Sequence, residues 1–196
     1  MKYMIASDIH GSAYYCEMLL KRFDKEKADR LLLLGDLLYH GPRNDLPKEY
    51  APKKVIELLN AYQDVIICVR GNCEAEVDQM VLDFPVMAEY CMISEGKTLI
   101  MATHGHVYNL EHPPKLQKGD VLLHGHTHVP ANITTETFRY LNPGSVAIPK
   151  EGSKHSYMIF EDGTFVWKDL EGQEYMRYCM HKSLKTMIPV KQKDRE

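Results

Sequence analysis

The sequence lacks the features that mark several classes of protein. No apolar run approaches the ~18 residues that a membrane-spanning helix requires, and Leu31–Leu34 and Val65–Val69 are among the longest. The 24 basic residues against 27 acidic ones leave a formal charge of −3, so no strongly basic surface is predicted. We therefore expect no membrane association, and a dedicated nucleic-acid-binding module is not favoured.

Paired cysteines are missing as well. The five cysteines are odd in number and contain no C-x-x-C motif, which argues against a disulfide framework or a zinc–thiolate site. Unpaired cysteines are typical of a reducing compartment. The chain also reaches the acidic Asp8 before the apolar core of a signal peptide could form. These features together predict a cytoplasmic location.

The composition, with 44% apolar and 26% charged residues, supports a sizeable core. In the first half, short apolar segments at Lys2–Ser7, Arg30–Leu34 and Val65–Val69 alternate with helical periodicity at Tyr14–Phe23 and Pro52–Tyr62. Strands that alternate with helices in this way predict a layered α/β architecture.

In the second half, strand-like segments joined by short turns predict a second sheet packed on the first. These segments are Val86–Ile93, Thr98–Thr103, Val121–Leu123, Thr137–Leu141, His155–Phe160 and Thr164–Lys168. Trp167 is predicted to lie in the core. Residues 175–180 are predicted to form a helix that packs on the domain or on a partner subunit, which leaves a homo-oligomer open. We expect one domain over residues 1–182 and a polar tail over residues 183–196.

Histidine is conspicuous: there are ten, and six lie within 25 residues. Imidazole is the commonest protein metal ligand and an acid or base near neutral pH. Five segments with potential metal ligands each lie where an apolar strand ends. They are Asp8-Ile9-His10, Gly35-Asp36, Gly71-Asn72, His104-Gly105-His106 and His126-Thr127-His128. Ligands bind beyond the carboxyl ends of strands in α/β sheets, so these segments are predicted to converge.

The donor types in these segments suit divalent metal ions. Residues two apart in an extended chain point to the same side, so Asp8 with His10, and His126 with His128, are expected to face one cavity. Carboxylate, carboxamide and imidazole are the ligands of Mn, Fe or Zn, and seven such side chains suit two ions that share a carboxylate. Each segment alone could be a cap, a turn or a His-rich loop. Their occurrence in order at strand ends favours a metal centre.

Except at one position, the five segments and their neighbours also follow the pattern D-x-H, G-D, G-N-H-[D/E], H and G-H-x-H. On this pattern the sequence resembles the calcineurin-like metallophosphoesterase superfamily, and it is most similar to the branch of bacterial YfcE-type phosphodiesterases. The similarity to that branch lies in Ala6–Ser12, His40–Asn44, Val69–Glu74 and Asn142–Ser145. The resemblance covers about residues 1–170.

The resemblance implies a four-layer αββα sandwich of two mixed β-sheets flanked by helices. It also implies a phosphoric diester hydrolase that cleaves small phosphodiesters by attack of a metal-bridging hydroxide at a binuclear site. The implied cofactors are two divalent ions, Mn²⁺ in the first place, with Zn²⁺, Fe²⁺ or Ni²⁺ as alternatives. By position, the first ion would be held by Asp8, His10, Asp36 and His128, and the second by Asp36, Asn72, His104 and His126, with Asp36 bridging.

The sequence departs from the superfamily at one position. Many phosphomonoesterases of this superfamily have a histidine after the asparagine, which assists the transition state or protonates the leaving group, whereas this chain has Cys73. A thiol is a weak hydrogen-bond donor, so a general-acid contribution of typically ~10²–10⁴-fold should be missing or come from another group. His106 is the candidate replacement, with Arg43 and His40 as further candidates if their loop covers the site. The catalytic roles are therefore expected of Asp36, Asn72, Cys73 and His106.

Two other functions remain open at this stage. A phosphomonoesterase or nucleotidase would use the same fold and metals. A non-catalytic scaffold is the other alternative, since a eukaryotic retromer subunit resembles these enzymes and serves chiefly in protein interactions. A scaffold role predicts a degraded ligand set, whereas here all seven positions keep residues that can bind a metal.

Overall fold

The structure, a computed structural model, describes residues 1–180. The helices are α1 (Ala13–Glu26), α2 (Pro52–Asn60) and the single turn α3 (Glu76–Gln79). The strands are β1 (Tyr3–Ala6), β2 (Arg30–Leu33), β3 (Ile66–Cys68), β4 (Tyr90–Glu95), β5 (Thr98–Thr103), β6 (Val121–His124), β7 (Ala131–Thr134), β8 (Arg139–Asn142), β9 (Ser156–Glu161), β10 (Thr164–Asp169) and β11 (Glu174–Cys179). The predicted tail at 183–196 lies outside the described residues.

The strands form two mixed sheets. The six-stranded sheet has the order β11-β10-β9-β1-β2-β3, and the five-stranded sheet has the order β4-β5-β6-β8-β7. In the first sheet β1, β2 and β3 run parallel, and in the second β5, β6 and β8 run parallel. The predicted sandwich of two mixed β-sheets is confirmed. None of the described helices is long and apolar enough to cross a bilayer.

Helices cover one face of the six-stranded sheet. Ser12 is the N-cap of helix α1, and its Oγ accepts a hydrogen bond from the Tyr15 backbone N–H, which satisfies an otherwise unpaired amide. Its buried residues and those of α2 join Met4, Leu31 and Leu33 in one apolar cluster. Because side chains alternate along a strand, the intervening residues of β1 and β2 face the other way, toward the second sheet.

The core between the sheets is a second apolar cluster. Ile5, Leu32 and Leu34 lie in it together with residues of β5, β6, β9 and β10. Trp167 on β10 is fully buried there, as predicted, and its Nε1 donates a 2.7 Å hydrogen bond to the carbonyl of Asn142 on β8. This bond joins the two sheets across the interior.

Several predicted elements differ from the structure. Residues 174–179 form the edge strand β11 and not a helix, because they complete the ladder of β10, which β9 pairs on one side only. The strand expected from Val86 begins at Tyr90, and the Val86 amide donates to the Gln79 side chain instead. Strand β7 was not predicted from the sequence. Leu116 packs against Leu122, Phe138 and Tyr140 of the five-stranded side, and the described segment 104–120 contains no regular helix.

Candidate metal centre

All seven predicted metal ligands lie just beyond the carboxyl ends of parallel strands. Four follow β1, β2 and β3 of the six-stranded sheet, and three follow β5 and β6 of the five-stranded sheet. The ends of both sheets meet at the same edge of the sandwich, so the structure brings the seven side chains together. They are Asp8, His10, Asp36, Asn72, His104, His126 and His128.

The backbone that presents them is not extended, which corrects the reasoning from residues two apart. Five of the seven have a left-handed backbone: φ is 61° at Asp8, 50° at His10, 56° at Asp36, 65° at His126 and 63° at His128. This region is sparsely populated by residues other than glycine and costs energy. Backbone hydrogen bonds hold it in place, among them His10 N–H to Asp36 O at 2.9 Å. Tight left-handed turns, not the pleat of a strand, aim these side chains inward.

Four side chains form the first half of the site. Asp8 Oδ1 lies 3.6 Å from His10 Nε2 and 3.4 Å from His128 Nε2. The two Nε2 atoms are 3.2 Å apart, and Asp36 Oδ2 is 3.7 Å from His10 Nε2. Asp8, His10 and His128 can direct one ligand atom each into a common space.

The second half of the site shares Asp36 with the first. Asp36 Oδ2 is 3.5 Å from His104 Nε2, which is also 3.0 Å from Asn72 Oδ1 and 3.1 Å from His126 Nδ1. Asn72 is exposed, whereas His104 is fully buried. Asp36 therefore stands between two clusters of potential donors.

The outer hydrogen bonds of the histidines leave nitrogen lone pairs facing inward. The Nδ1 atoms of His10, His104 and His128 lie 2.8, 2.6 and 2.5 Å from the carbonyls of Tyr39, Leu34 and Ile148. A proton on each Nδ1 leaves Nε2 as an acceptor, which is the tautomer that binds a metal.

The candidate ligands present more hydrogen-bond acceptors than there are donors beside them. Asp8 Oδ1 is buried and has no hydrogen-bond partner among residues 1–180, although buried polar groups are normally paired. Converging imidazole nitrogens and carboxylate oxygens without enough protons form a set that a divalent cation would satisfy. The residues present therefore fit metal binding.

The charges of the site support the same conclusion. Burial opposes ionisation of Asp36, but the hydrogen bond and charge of His104 outweigh it, and the pKa of Asp36 falls far below its usual range. Burial likewise opposes protonation of His104, yet Asp36 and Asp8 raise its pKa to about 9. Burial and the charge of His104 lower the pKa of His126 to about 4. The ionised carboxylates of Asp8 and Asp36 therefore attract positive charge to this buried site.

Glu74 organises this edge of the six-stranded sheet, a role that was not predicted. Its buried carboxylate accepts hydrogen bonds from the backbone N–H groups of Asp36 at 2.9 Å, Leu37 at 2.7 Å and Gly71 at 2.5 Å. A Cβ at Gly71 would overlap both the Asp36 and the Glu74 carboxylates, so only glycine fits there. The carboxylate holds the loops after β2 and β3 together and so positions Asp36 and Asn72.

The metal cleft, as we call the opening above these ligands, also has cationic walls. Its lining includes residues 41–44 and Lys150 besides Cys73 and five of the seven candidate ligands. Arg43 lies in this lining, whereas the His40 ring packs edge-on against the rings of Tyr39 and Tyr50. Lys150 was not predicted, because no motif in the sequence connects it with the strand ends.

Cys73 and His106 occupy different places. The backbone N–H of Cys73 donates to Asp36 Oδ1 at 2.9 Å and its thiol lies 3.3 Å from Asp36 Oδ2. Burial and the Asp36 charge raise the pKa of this thiol well above its usual value. His106 is exposed, with its ring 5.4 Å from that of His104 and 6.3 Å from that of His126. Both lie beside the candidate ligands, and of the two only Cys73 lines the metal cleft.

Comparisons with known proteins agree with this geometry. The chain is 47% identical to phosphodiesterase YfcE of Escherichia coli over 162 residues, which cover 83% of this chain and 88% of that protein. It superposes on the structure of the E. coli phosphoesterase YfcE with a TM-score of 0.88 and 42% identity, covering 92% and 100% of the two chains. Vacuolar protein sorting 29 of Cryptosporidium parvum shares the fold, with 17% identity, a TM-score of 0.59 and 91% and 97% coverage.

The family assignment rests on most of the chain. Residues 1–163 match the model of the calcineurin-like phosphoesterase superfamily domain. The predicted resemblance and the predicted class of enzyme, a phosphoric diester hydrolase, are both confirmed by these matches. The chain belongs to the calcineurin-like phosphoesterase superfamily.

Proposed function

We propose that this protein is a metal-dependent phosphodiesterase with a binuclear centre. The observation that carries the proposal is the position of Asp36 between two groups of donors, one with Asp8, His10 and His128 and the other with Asn72, His104 and His126. The similarity to E. coli YfcE supports the same activity. A small phosphodiester is the proposed substrate class.

Each group of donors would hold one divalent ion, with Asp36 shared, and we expect Mn²⁺. Two such ions would supply Lewis-acid polarisation of a phosphoryl oxygen and would promote ionisation of the attacking water near neutral pH, which is the chemistry that the family resemblance implies. The protein's own contribution is to hold the imidazole tautomers through the carbonyls of Tyr39, Leu34 and Ile148. Fixed outer partners of this kind raise both metal affinity and activity.

The residue at position 73 favours diesters over monoesters. Arg43 and Lys150 line the cleft, and these cations attract an anionic phosphate ester of either kind. Because the Cys73 thiol has a raised pKa and is a poor proton donor, the leaving alcohol departs with little assistance from that position. Diesters with acidic leaving groups should therefore react best. His106, beside His104 and His126, remains our candidate proton donor.

The proposal is tested with bis(p-nitrophenyl) phosphate and p-nitrophenyl phosphate. We expect hydrolysis of the diester with Mn²⁺, loss of activity after treatment with EDTA, and recovery when Mn²⁺ is returned. The monoester should react more slowly. Hydrolysis that survives complete metal removal, or absence of hydrolysis with every divalent ion tried, would contradict the proposal.

The alternatives are less well supported. A phosphomonoesterase would be expected to have histidine where this chain has Cys73. A binding scaffold would not require two carboxylates, four imidazoles and one carboxamide to converge at one place. The shared fold with vacuolar protein sorting 29 therefore does not favour a scaffold role here.

A further inference from the structure

A second cavity adjoins the metal cleft and shares His126 with it. We call it the side cavity. It has a volume of about 430 Å³, enough for a substituent of several heavy atoms. It is lined by Gly105, Asn109, Leu110, Glu111, His124, His126, Thr127, Val129, Ala131, Tyr140 and Glu151. A ligand bound at His126 would therefore have this space directly beside it.

Most uncharged polar groups in the wall of the side cavity are already paired, and the exception is the buried Nε2 of His124, which has no hydrogen-bond partner among residues 1–180. Asn109 donates to Gly105 O at 3.1 Å, and its Oδ1 accepts from the amide of Glu111 at 2.9 Å. Thr127 Oγ1 and Tyr140 Oη both accept from the Asn142 side chain, at 3.1 and 2.9 Å. These groups have little capacity to bind a polar ligand.

Apart from the histidine nitrogens and two carboxylates, the remaining surface is apolar. Leu110, Val129 and Ala131 form walls, and the rings of His124 and Tyr140 stack with centroids 4.4 Å apart. Such a surface gains free energy by burying alkyl or aryl groups. An apolar substituent is thus the natural occupant of this space.

The charged residues of the two cavities differ in sign. The side cavity has Glu111 and Glu151, which are exposed and form no ion pair within residues 1–180. The metal cleft has Arg43 and Lys150. A substrate that spans His126 would therefore meet positive charge on one side and negative charge on the other.

From this arrangement we infer that the side cavity binds one ester substituent of the phosphodiester substrate, and that this substituent is an alkyl chain carrying an ammonium group. The phosphodiester lies in the metal cleft, the alkyl chain contacts the apolar walls, and the ammonium group approaches Glu111 and Glu151. This inference rests on the proposed phosphodiesterase function and specifies its substrate class.

Three chromogenic diesters test the inference: p-nitrophenyl methyl, p-nitrophenyl pentyl and p-nitrophenyl 4-aminobutyl phosphate. The last two substituents have equal length and differ in ending in methyl or ammonium. We expect kcat/KM to rise from the methyl to the pentyl to the aminobutyl ester. The aminobutyl ester should exceed the pentyl ester by about fivefold, the effect of partly exposed ion pairs, and this preference should shrink at high salt.

Two variants examine the walls of the side cavity. The double variant Glu111→Gln, Glu151→Gln should lose the preference for the aminobutyl ester and hydrolyse the methyl ester as before. Ala131→Phe should reduce kcat/KM for both long esters relative to the methyl ester, because the ring occupies the space of the chain. Glu136→Gln, an exposed carboxylate in the turn after β7, is the matched control and should keep the preference.

The outcomes separate this inference from the proposed function. Metal-dependent hydrolysis of the methyl ester, with equal kcat/KM for the pentyl and aminobutyl esters, would overturn the inference and leave the proposed function intact. A preference that survives in the double glutamine variant would overturn it as well. Failure of the wild type to hydrolyse the methyl ester with Mn²⁺ would overturn both.

Discussion

The two sheets contribute different chemistry to the same site. The six-stranded sheet provides both carboxylates, the carboxamide and one histidine, whereas the five-stranded sheet provides only histidines. Each set depends on the other sheet. His104 is oriented by the carbonyl of Leu34, and the amide of His126 donates to Asp8 Oδ2 at 3.2 Å. Neither sheet therefore carries a complete site, and the site forms only where the two sheets pack together.

The largest expected effect is at Asp36, the side chain that links the two sets of donors. Asp36→Ala should reduce Mn²⁺-dependent hydrolysis of bis(p-nitrophenyl) phosphate to background, because both proposed ions lose the shared ligand. The measurement is kcat/KM at saturating Mn²⁺, with the exposed Asp83→Ala as the control. Full activity in Asp36→Ala would exclude the binuclear model.

A smaller loss is expected from the carboxylate that organises the six-stranded side. Glu74→Gln keeps the size of the side chain but replaces one acceptor oxygen with an amide group, so a backbone N–H of Asp36, Leu37 or Gly71 loses its partner. Removing such an outer partner costs about 10–100-fold in metal affinity or activity.

The readout for Glu74→Gln is the Mn²⁺ concentration that gives half-maximal activity, which should rise. Glu76→Gln, two residues later and exposed, is the matched control. An unchanged Mn²⁺ dependence in folded Glu74→Gln would mean that this carboxylate does not position the candidate ligands. Other contacts would then hold the loops after β2 and β3.

Cys73 tests whether a proton donor on the six-stranded side sets the substrate preference. Cys73→His should raise the ratio of monoesterase to diesterase activity by about tenfold, less than the ~10²–10⁴-fold of a fully positioned general acid. Cys73→Ser, which adds no imidazole, should leave the ratio as it is. An unchanged ratio in Cys73→His would show that this position does not decide between the two ester types.

The smallest effect on activity is expected from Trp167, which joins the two sheets and is not itself among the candidate ligands. Trp167→Phe leaves the buried Asn142 carbonyl without its donor, so the free energy of unfolding should fall by about 1–3 kcal/mol. Urea denaturation measures this, with the half-exposed Tyr90→Phe as the control. A stability equal to wild type would mean that the bond does not hold the two sheets together.

Much of the candidate site could be predicted, because residue types at the strand ends indicate it. Polar donors directly after apolar strands indicated Asp8, Asp36 and His104 as neighbours, and the structure brings them together. The direction of the side chains was predicted for the wrong reason, since left-handed turns at Asp8 and His10 replace the extended backbone. Periodicity over a few residues does not reveal such turns, because the tertiary hydrogen bonds that hold them come from other loops.

Other errors have the same origin. The aromatic segment at 174–179 has no strong preference of its own, and it becomes a strand because β10 offers an open edge. No sequence motif connects Lys150 with the site. The role of Glu74 depends on backbone amides that are distant in sequence. Contacts of this kind are properties of the packed chain.

The sequence by itself determined most of the strands, the positions of the candidate metal ligands and the family, because these depend on residue type and on order along the chain. Only the tertiary structure decided how the two sheets meet, and with it that Asp36 stands between the donor groups and that His126 separates a cationic cleft from an apolar cavity with carboxylates. These features depend on distances between residues far apart in sequence, which composition and periodicity do not contain.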